Sequence, residues 1–166
     1  MNRKSILRSI LPTAVVALAA PAFADDVTDN LQITGQVMPG CELQITPLSN
    51  LEIYSLASSQ TASSPSGIGA RCNTGTAYDI APGDGLNYGL NPDYPNFRTL
   101  AGPGFNLAYT LHKDASGGEA WGPGADQISG VGNGDWQFMP YSVVFYGANK
   151  ASNGTYSDDV QVTLTY

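Results

Sequence analysis

The chain has 166 residues, with seven Lys or Arg against fourteen Asp or Glu and only 13% charged residues in all. That is about half of the roughly 25% usual for a soluble domain; Ser, Thr, Asn and Gly carry the polarity instead. The few scattered cations build no basic patch, which excludes nucleic acid as a partner, and a single histidine leaves no Ser-His-Asp or His-rich metal constellation to assemble.

The first 24 residues read as a cleaved secretory signal. Arg3, Lys4 and Arg8 form a basic head, Ile10 to Ala20 a short apolar run, and Ala22-Phe23-Ala24 the small-x-small cleavage pattern. The run is shorter than the roughly 20 apolar residues that span a bilayer. Cleavage leaves Asp25 to Tyr166, one domain's length, in which Arg71, Arg98, Lys113 and Lys150 face all fourteen acids for a net charge of −10. Two cysteines remain, Cys41 and Cys72, and an exported chain with no Cys-x-x-Cys is expected to join them in a disulfide.

After the acidic stretch Asp25–Asn30, Leu31-Gln32-Ile33-Thr34-Gly35-Gln36-Val37 alternates with the period of a strand. Pro39-Gly40 ends it. Cys41 to Ile45 alternates again up to Pro47, and Leu51 to Leu56 is expected as a third strand. Ala57 to Gly67 reads ASSQTASSPSG and is expected to be a surface loop. Ile68, Ala70 and Cys72 share a strand face, Ala77 to Ile80 follows as a strand, and Ala81 to Pro103 is crowded with turn residues. Phe105 to Leu111 is the clearest internal strand, with Phe105, Leu107, Tyr109 and Leu111 inward and His112 on the outward face with Asn106, Ala108 and Thr110. Gly117 to Gly134 is turn-rich. Trp136 to Tyr146 is a strand region whose Pro140 implies a bulge or an edge.

The chain closes on its cleanest alternation. Val160, Val162, Leu164 and Tyr166 fall on one face, and Gln161, Thr163 and Thr165 on the other, after an Asn153-Gly154 hairpin or turn signal. An apolar strand with an uncovered edge is an aggregation hazard, so something is expected to pair with it. No sustained helical period follows the signal. Many short strands between Gly/Pro turns predict an all-β chain, an immunoglobulin-like β-sandwich.

Other chemistries have blander explanations. Asp158-Asp159 and Asp25-Asp26 are adjacent carboxylates, expected in solvated turns rather than in acid/base work, and no enzyme activity or cofactor is expected. Gly124 to Asp135 has the oxygen-rich composition of a calcium loop but not its ordered spacing. Trp121 and Trp136, with nine tyrosines, suit sandwich packing as well as a sugar platform.

The terminal Gly154-Thr155-Tyr156-Ser157-Asp158, continuing to Val160, Val162-Thr163 and Thr165-Tyr166, resembles the closing signature of the spore coat protein U family, which includes the archaic chaperone–usher pilins. Thr34-Gly35-Gln36-Val37 before Cys41, Cys72-Asn73-Thr74-Gly75-Thr76-Ala77-Tyr78, Gly85-Leu86-Asn87, Arg98-Thr99-Leu100, Leu107 to Leu111 and Trp121-Gly122 follow in family order. The resemblance departs at Glu52 to Leu56, at Tyr88 to Phe97, which looks inserted, and at Asn153, where the family has Pro. It implies a sandwich lacking its final strand and completed by a donor strand from a neighbour. Residues 25–37 would be the donor extension, with Val27, Leu31, Ile33, Gly35 and Val37 as donor residues, and 38–166 the pilin domain. Val160, Val162, Leu164 and Tyr166 would line the acceptor groove and meet the chaperone. The implied partners are a periplasmic pilus chaperone, an outer-membrane usher and further copies of this chain or sister pilins in a surface fimbria. The alternative is a self-contained secreted β-sandwich that binds carbohydrate or calcium.

Overall fold

The computed structural model describes residues 28–54, 56 and 59–166; the expected signal segment, residues 1–24, and the expected donor residue Val27 lie outside them. The chain divides between Gln36 and Val37. In the first part, residues 28–36 form no strand, and Leu31 and Ile33 are 87% and 85% exposed. The strand expected over Leu31–Val37 is therefore not formed here. Alternation prepares a face, but a strand exists only when a neighbour takes its N–H and C=O groups.

The second part is all-β, in two sheets. The strands are β1 (Cys41–Ile45), β2 (Ser59–Cys72), β3 (Ala77–Pro82), β4 (Arg98–Leu100), β5 (Leu107–His112), β6 (Ile128–Val131), β7 (Gln137–Tyr146) and β8 (Val162–Thr165). One sheet has the order β1-β2-β7-β5-β4 and the other β6-β3-β8, with every pairing antiparallel. This is the expected immunoglobulin-like sandwich. Its core gathers Ile68, Ala70, Tyr78, Ile80, Tyr109 and Leu111 with Tyr141, Val143 and Phe145. Trp121 closes it, 3% exposed, its indole N–H donating to the Ile80 carbonyl at 3.0 Å. That packing, with the ring of Tyr141 against it, accounts for this tryptophan. Trp136 instead stacks on Phe138 beneath the Arg71 guanidinium, which is paired with Glu42.

Several expectations are corrected. Most of the expected loop Ala57–Gly67 is strand: β2 begins at Ser59, and Ser59 to Ser64 pair with Tyr146 to Tyr141 of β7. Ser and Thr state no local preference strong enough to announce a strand, and the long partner decides. Leu51–Tyr54, expected as a strand, is irregular. Within the turn-rich Gly117–Gly134 lie a 3-10 turn at Gly124–Asp126 and the short strand β6. Pro140 does coincide with a bulge, carried by its partner: the register shifts between Ser64 and Ile68, opposite Met139 to Tyr141. The edge position is excluded, because β7 is the third of five strands. The proline's missing N–H falls where pairing is interrupted.

β7 is covered on both faces, which hides its alternation. Tyr141, Val143 and Phe145 face the core, while the buried Ser142 donates its hydroxyl to the Asp114 carbonyl in the loop after β5. Ala108 is likewise fully buried, so the outward face of β5 is not a solvent face, and His112 is half-buried and hydrogen-bonded through Nε2 to the Thr110 hydroxyl at 2.8 Å. The Cys41–Cys72 disulfide is present and joins residues directly opposite each other in β1 and β2, 4.1 Å apart at Cα.

Candidate functional site

β8 pairs with β3 from Pro82↔Val162 to Asp79↔Thr165 and, among the described residues, is the edge strand of its sheet. Its alternation is the one read from the sequence. Val162 and Leu164, with Val160 just before them, pack partly buried against the core, while Gln161, Thr163 and Thr165 are exposed. Tyr166 departs from the pattern at 62% exposed. It lies one residue past the last paired position, Thr165.

Beside β8 the sandwich is open. A groove of about 740 Å³ runs between two chain segments that lie mostly outside the strands, one leaving the end of β1 and the other leading into β8. One wall is the end of β1 and the stretch after it, presenting Ile45, Leu48, Leu51 and Ile53. The other is the approach to β8, from Ala151 through Val160 to Val162. Core side chains of β5 and β7, including Tyr109, Leu111, Val143 and Phe145, form its floor. The apolar interior of the domain thus reaches the surface along a channel bordered by a free strand edge. Leu164 and Tyr166 are not among the residues that line it.

Each wall is held by side-chain bonds and isolated backbone bonds instead of a continuous ladder. Gln60 of β2 turns its carboxamide onto the first wall, donating to the Glu52 carbonyl at 2.6 Å and accepting the Tyr54 N–H at 2.9 Å. One side chain thereby satisfies two backbone groups that a strand would otherwise pair. Tyr141, from the floor, donates to the Thr46 carbonyl at 2.8 Å. On the second wall, Tyr156 donates to the carbonyls of Pro103 and Ser152 at 2.7 and 2.8 Å and lies over Gly102, where a Cβ would meet its ring at 2.3 Å. Ser157 pairs with Ala101 as an isolated antiparallel bridge.

Asp158 was expected in a solvated turn and is not there. One carboxylate oxygen accepts the buried Tyr109 hydroxyl at 2.7 Å, and the other accepts the Asn87 backbone and side-chain N–H groups at 3.1 Å each. Burial first, then the bond and charge of Asp158, hold the Tyr109 phenol far above its ordinary value, with Arg98 opposing. Asn87 is brought in by Gly85, whose φ of +83° and contact with the Asp158 carboxylate, 2.3 Å from an ideal Cβ, leave no room for a side chain. Nothing local in sequence announces this cluster, whose members are 49 and 71 residues from Asp158. The only signal was that all three segments carry the family resemblance.

The remaining candidates disperse. Leu31, Ile33, Gly35 and Val37 lie on exposed, irregular chain, and Val27 is outside the described residues. In the oxygen-rich segment, residues 124–126 turn, 128–131 pair with β3, and Asn133 accepts the Asp135 N–H. Among the described residues no three His, Cys, Asp or Glu gather as a metal site. Asn153-Gly154 is a bend, but not a hairpin, since it lies on the connection from β7 in one sheet to β8 in the other.

Comparison with known proteins agrees with this fold. A solved structure with the same fold is the CsuC–CsuE chaperone–tip adhesion subunit pre-assembly complex from archaic chaperone–usher Csu pili of Acinetobacter baumannii, matched at a TM-score of 0.57 and 22% sequence identity. The match covers 78% of this chain and 40% of that one, so this chain spans well under half its length. A search of curated proteins returned no match. The family model described as Spore Coat Protein U domain matches residues 27–163, most of the 166-residue chain. The chain belongs to the Spore Coat Protein U domain family.

Proposed function

We propose that this protein is a structural subunit of a surface fimbria, exported through the periplasm and assembled by a chaperone and an outer-membrane usher through donor-strand exchange, and that the fibre supports adhesion or biofilm formation. The observation that carries this reading is the apolar groove beside the free edge of β8. A strand laid along that edge gains main-chain hydrogen bonds from β8, and its alternate side chains descend onto the core. The chaperone supplies that strand first. The extension of the next copy, residues 25–37 after signal cleavage, then replaces it with Val27, Leu31, Ile33 and Val37 inward and Gly35 where the backbone comes close. Burying each Leu or Ile contributes roughly 1.5–3 kcal/mol, so a few such residues offset the cost of ordering an extended segment. The exposure of Leu31, Ile33 and Val37 fits a segment whose partner is another molecule. Acceptor contacts fall to Val160 and Val162 at the groove and to Leu164 and Tyr166 along the strand that borders it. A domain of this family and fold has no need of catalysis, and no reaction is assigned to it.

Expression of the chain with and without a cognate periplasmic chaperone tests the reading. A soluble one-to-one complex with the chaperone, and aggregation or strand swapping without it, is the expected result. A stable monomer that is indifferent both to chaperone and to loss of residues 25–36 would instead mark a self-contained binding module.

A further inference from the structure

Between Ser157 and Val162 the second wall of the groove belongs to no strand, and its backbone is tied down only at single points, among them the Gly83 N–H donating to the Gln161 carbonyl at 2.8 Å just beyond β3, yet it delivers Val160 and Val162 to the channel. Asp158 lies near the start of this span. Its two oxygens are divided between the floor, through Tyr109 of β5, and the loop after β3, through Asn87. The loop is bound to the wall again where the Leu86 N–H donates to the Asp159 carbonyl at 3.1 Å, and Asn87 also donates to the Ser157 carbonyl at 3.2 Å. A carboxylate accepting three donors from two separate elements fixes both the height and the slide of the backbone that carries it, and bonds to an ionised acceptor are the stronger kind.

We propose that Asp158 is the positioning residue of the groove: by tying the wall to Tyr109 and Asn87 it sets the register in which a strand can be added along β8. The adjacent Asp159 has no such role, since its side chain is exposed. The inference rests on the groove being a strand acceptor, but the anchoring itself does not. A slip of one residue in the wall would turn Val160 and Val162 out of the channel and Gln161 into it, because strand faces alternate with period two.

Amide hydrogen exchange on the exported chain, paired with the release rate of a labelled Asp25–Val37 peptide, tests both parts. Asp158→Ala and Tyr109→Phe should each speed exchange over residues 157–162 by about tenfold, the scale of one charge-assisted hydrogen bond, while β2 and β7 keep their rates. Both variants should release the peptide faster by a similar factor. Asp158→Asn, which keeps an acceptor for Asn87, should fall between, and Asp159→Ala should match the unaltered chain. Unchanged exchange at the wall, or an equal rise in β2 and β7, overturns the proposal whatever the peptide does. So does a loosened wall with unaltered release. If the wall loosens but the unaltered chain takes up no peptide, the anchoring stands and the strand-acceptor reading of the groove is what fails.

Discussion

Leu31–Val37 and Val160–Tyr166 are nearly the same sentence in residue types: apolar, polar, apolar, polar, ending on an apolar side chain. In the structure they have opposite fates. Val162 and Leu164 are packed on the core and paired with β3, whereas Leu31 and Ile33 are almost fully exposed on irregular chain. A period of two specifies which side chains share a face and says nothing about what meets them. The partner is a tertiary fact for β8, and on the reading proposed here an intermolecular one for the N-terminal segment. On that reading the same alternation serves one segment as a core element and the other as an export of core-forming side chains to a neighbour.

Substituting the same charge into both segments separates these roles most strongly. Leu164→Arg gives up roughly 1.5–3 kcal/mol of side-chain burial and sets an unpaired charge against the core opposite Ile80. Folded yield and chaperone complex should be lost together, as read by soluble expression and thermal melting. Ile33→Arg should leave the melting transition within about 0.5 kcal/mol, as for surface changes generally, and abolish fibres seen by electron microscopy. Equal unfolding by both would place Ile33 in its own domain's core and end the contrast.

The next effect concerns the wall opposite β8. Cys41 and Cys72 close a span of 31 residues that includes the irregular stretch bordering the groove. Replacing both with Ser should lower stability by roughly 3.5 kcal/mol on the chain-entropy account, measured by denaturant unfolding. On the donor-strand reading proposed above, the loss should be the same with residues 25–36 deleted.

A smaller change probes the wall that leads into β8. Tyr156→Phe removes the hydroxyl bonded to Pro103 and Ser152 while keeping the ring over Gly102. It should cost about 1 kcal/mol in equilibrium unfolding, with chaperone binding retained.

The slightest effect is one of pH, in the loop over the outer face of β7. Asp114 accepts N–H bonds from Ser116, Gly118 and Glu119 and the Ser116 hydroxyl, and the Ser116 bond above all holds its carboxyl well below the ordinary range. A depressed folded value means that the contribution is complete above the ordinary 3.8 and is lost as the pH falls below it. Exchange of the 116–119 amides should therefore rise only below about pH 4, while the amides of β8 stay protected. Asp114→Asn should remove the dependence.

Local pattern was enough for the parts of this protein where one residue's preference and its face suffice. The two-faced alternations of Cys41–Ile45, Ala77–Ile80 and Val160–Leu164, the pairing of the only two cysteines, and the all-β class follow from side-chain period, cysteine count and turn chemistry. Long-range packing decided the rest. Ser59–Gly67 is strand because β7 needs a partner, Ser142 is buried beneath the loop whose Asp114 carbonyl it bonds, and Leu51–Ile53 lines a groove instead of forming a strand because one Gln60 carboxamide holds it. Asp158 shows the limit most clearly. Beside Asp159 it looks like half of a solvated pair, and only folding brings Tyr109 and Asn87 to it from 49 and 71 residues away. Short-range preference acts over a few residues of chain, whereas a carboxylate's environment is set by whatever the fold places within 3 Å of it.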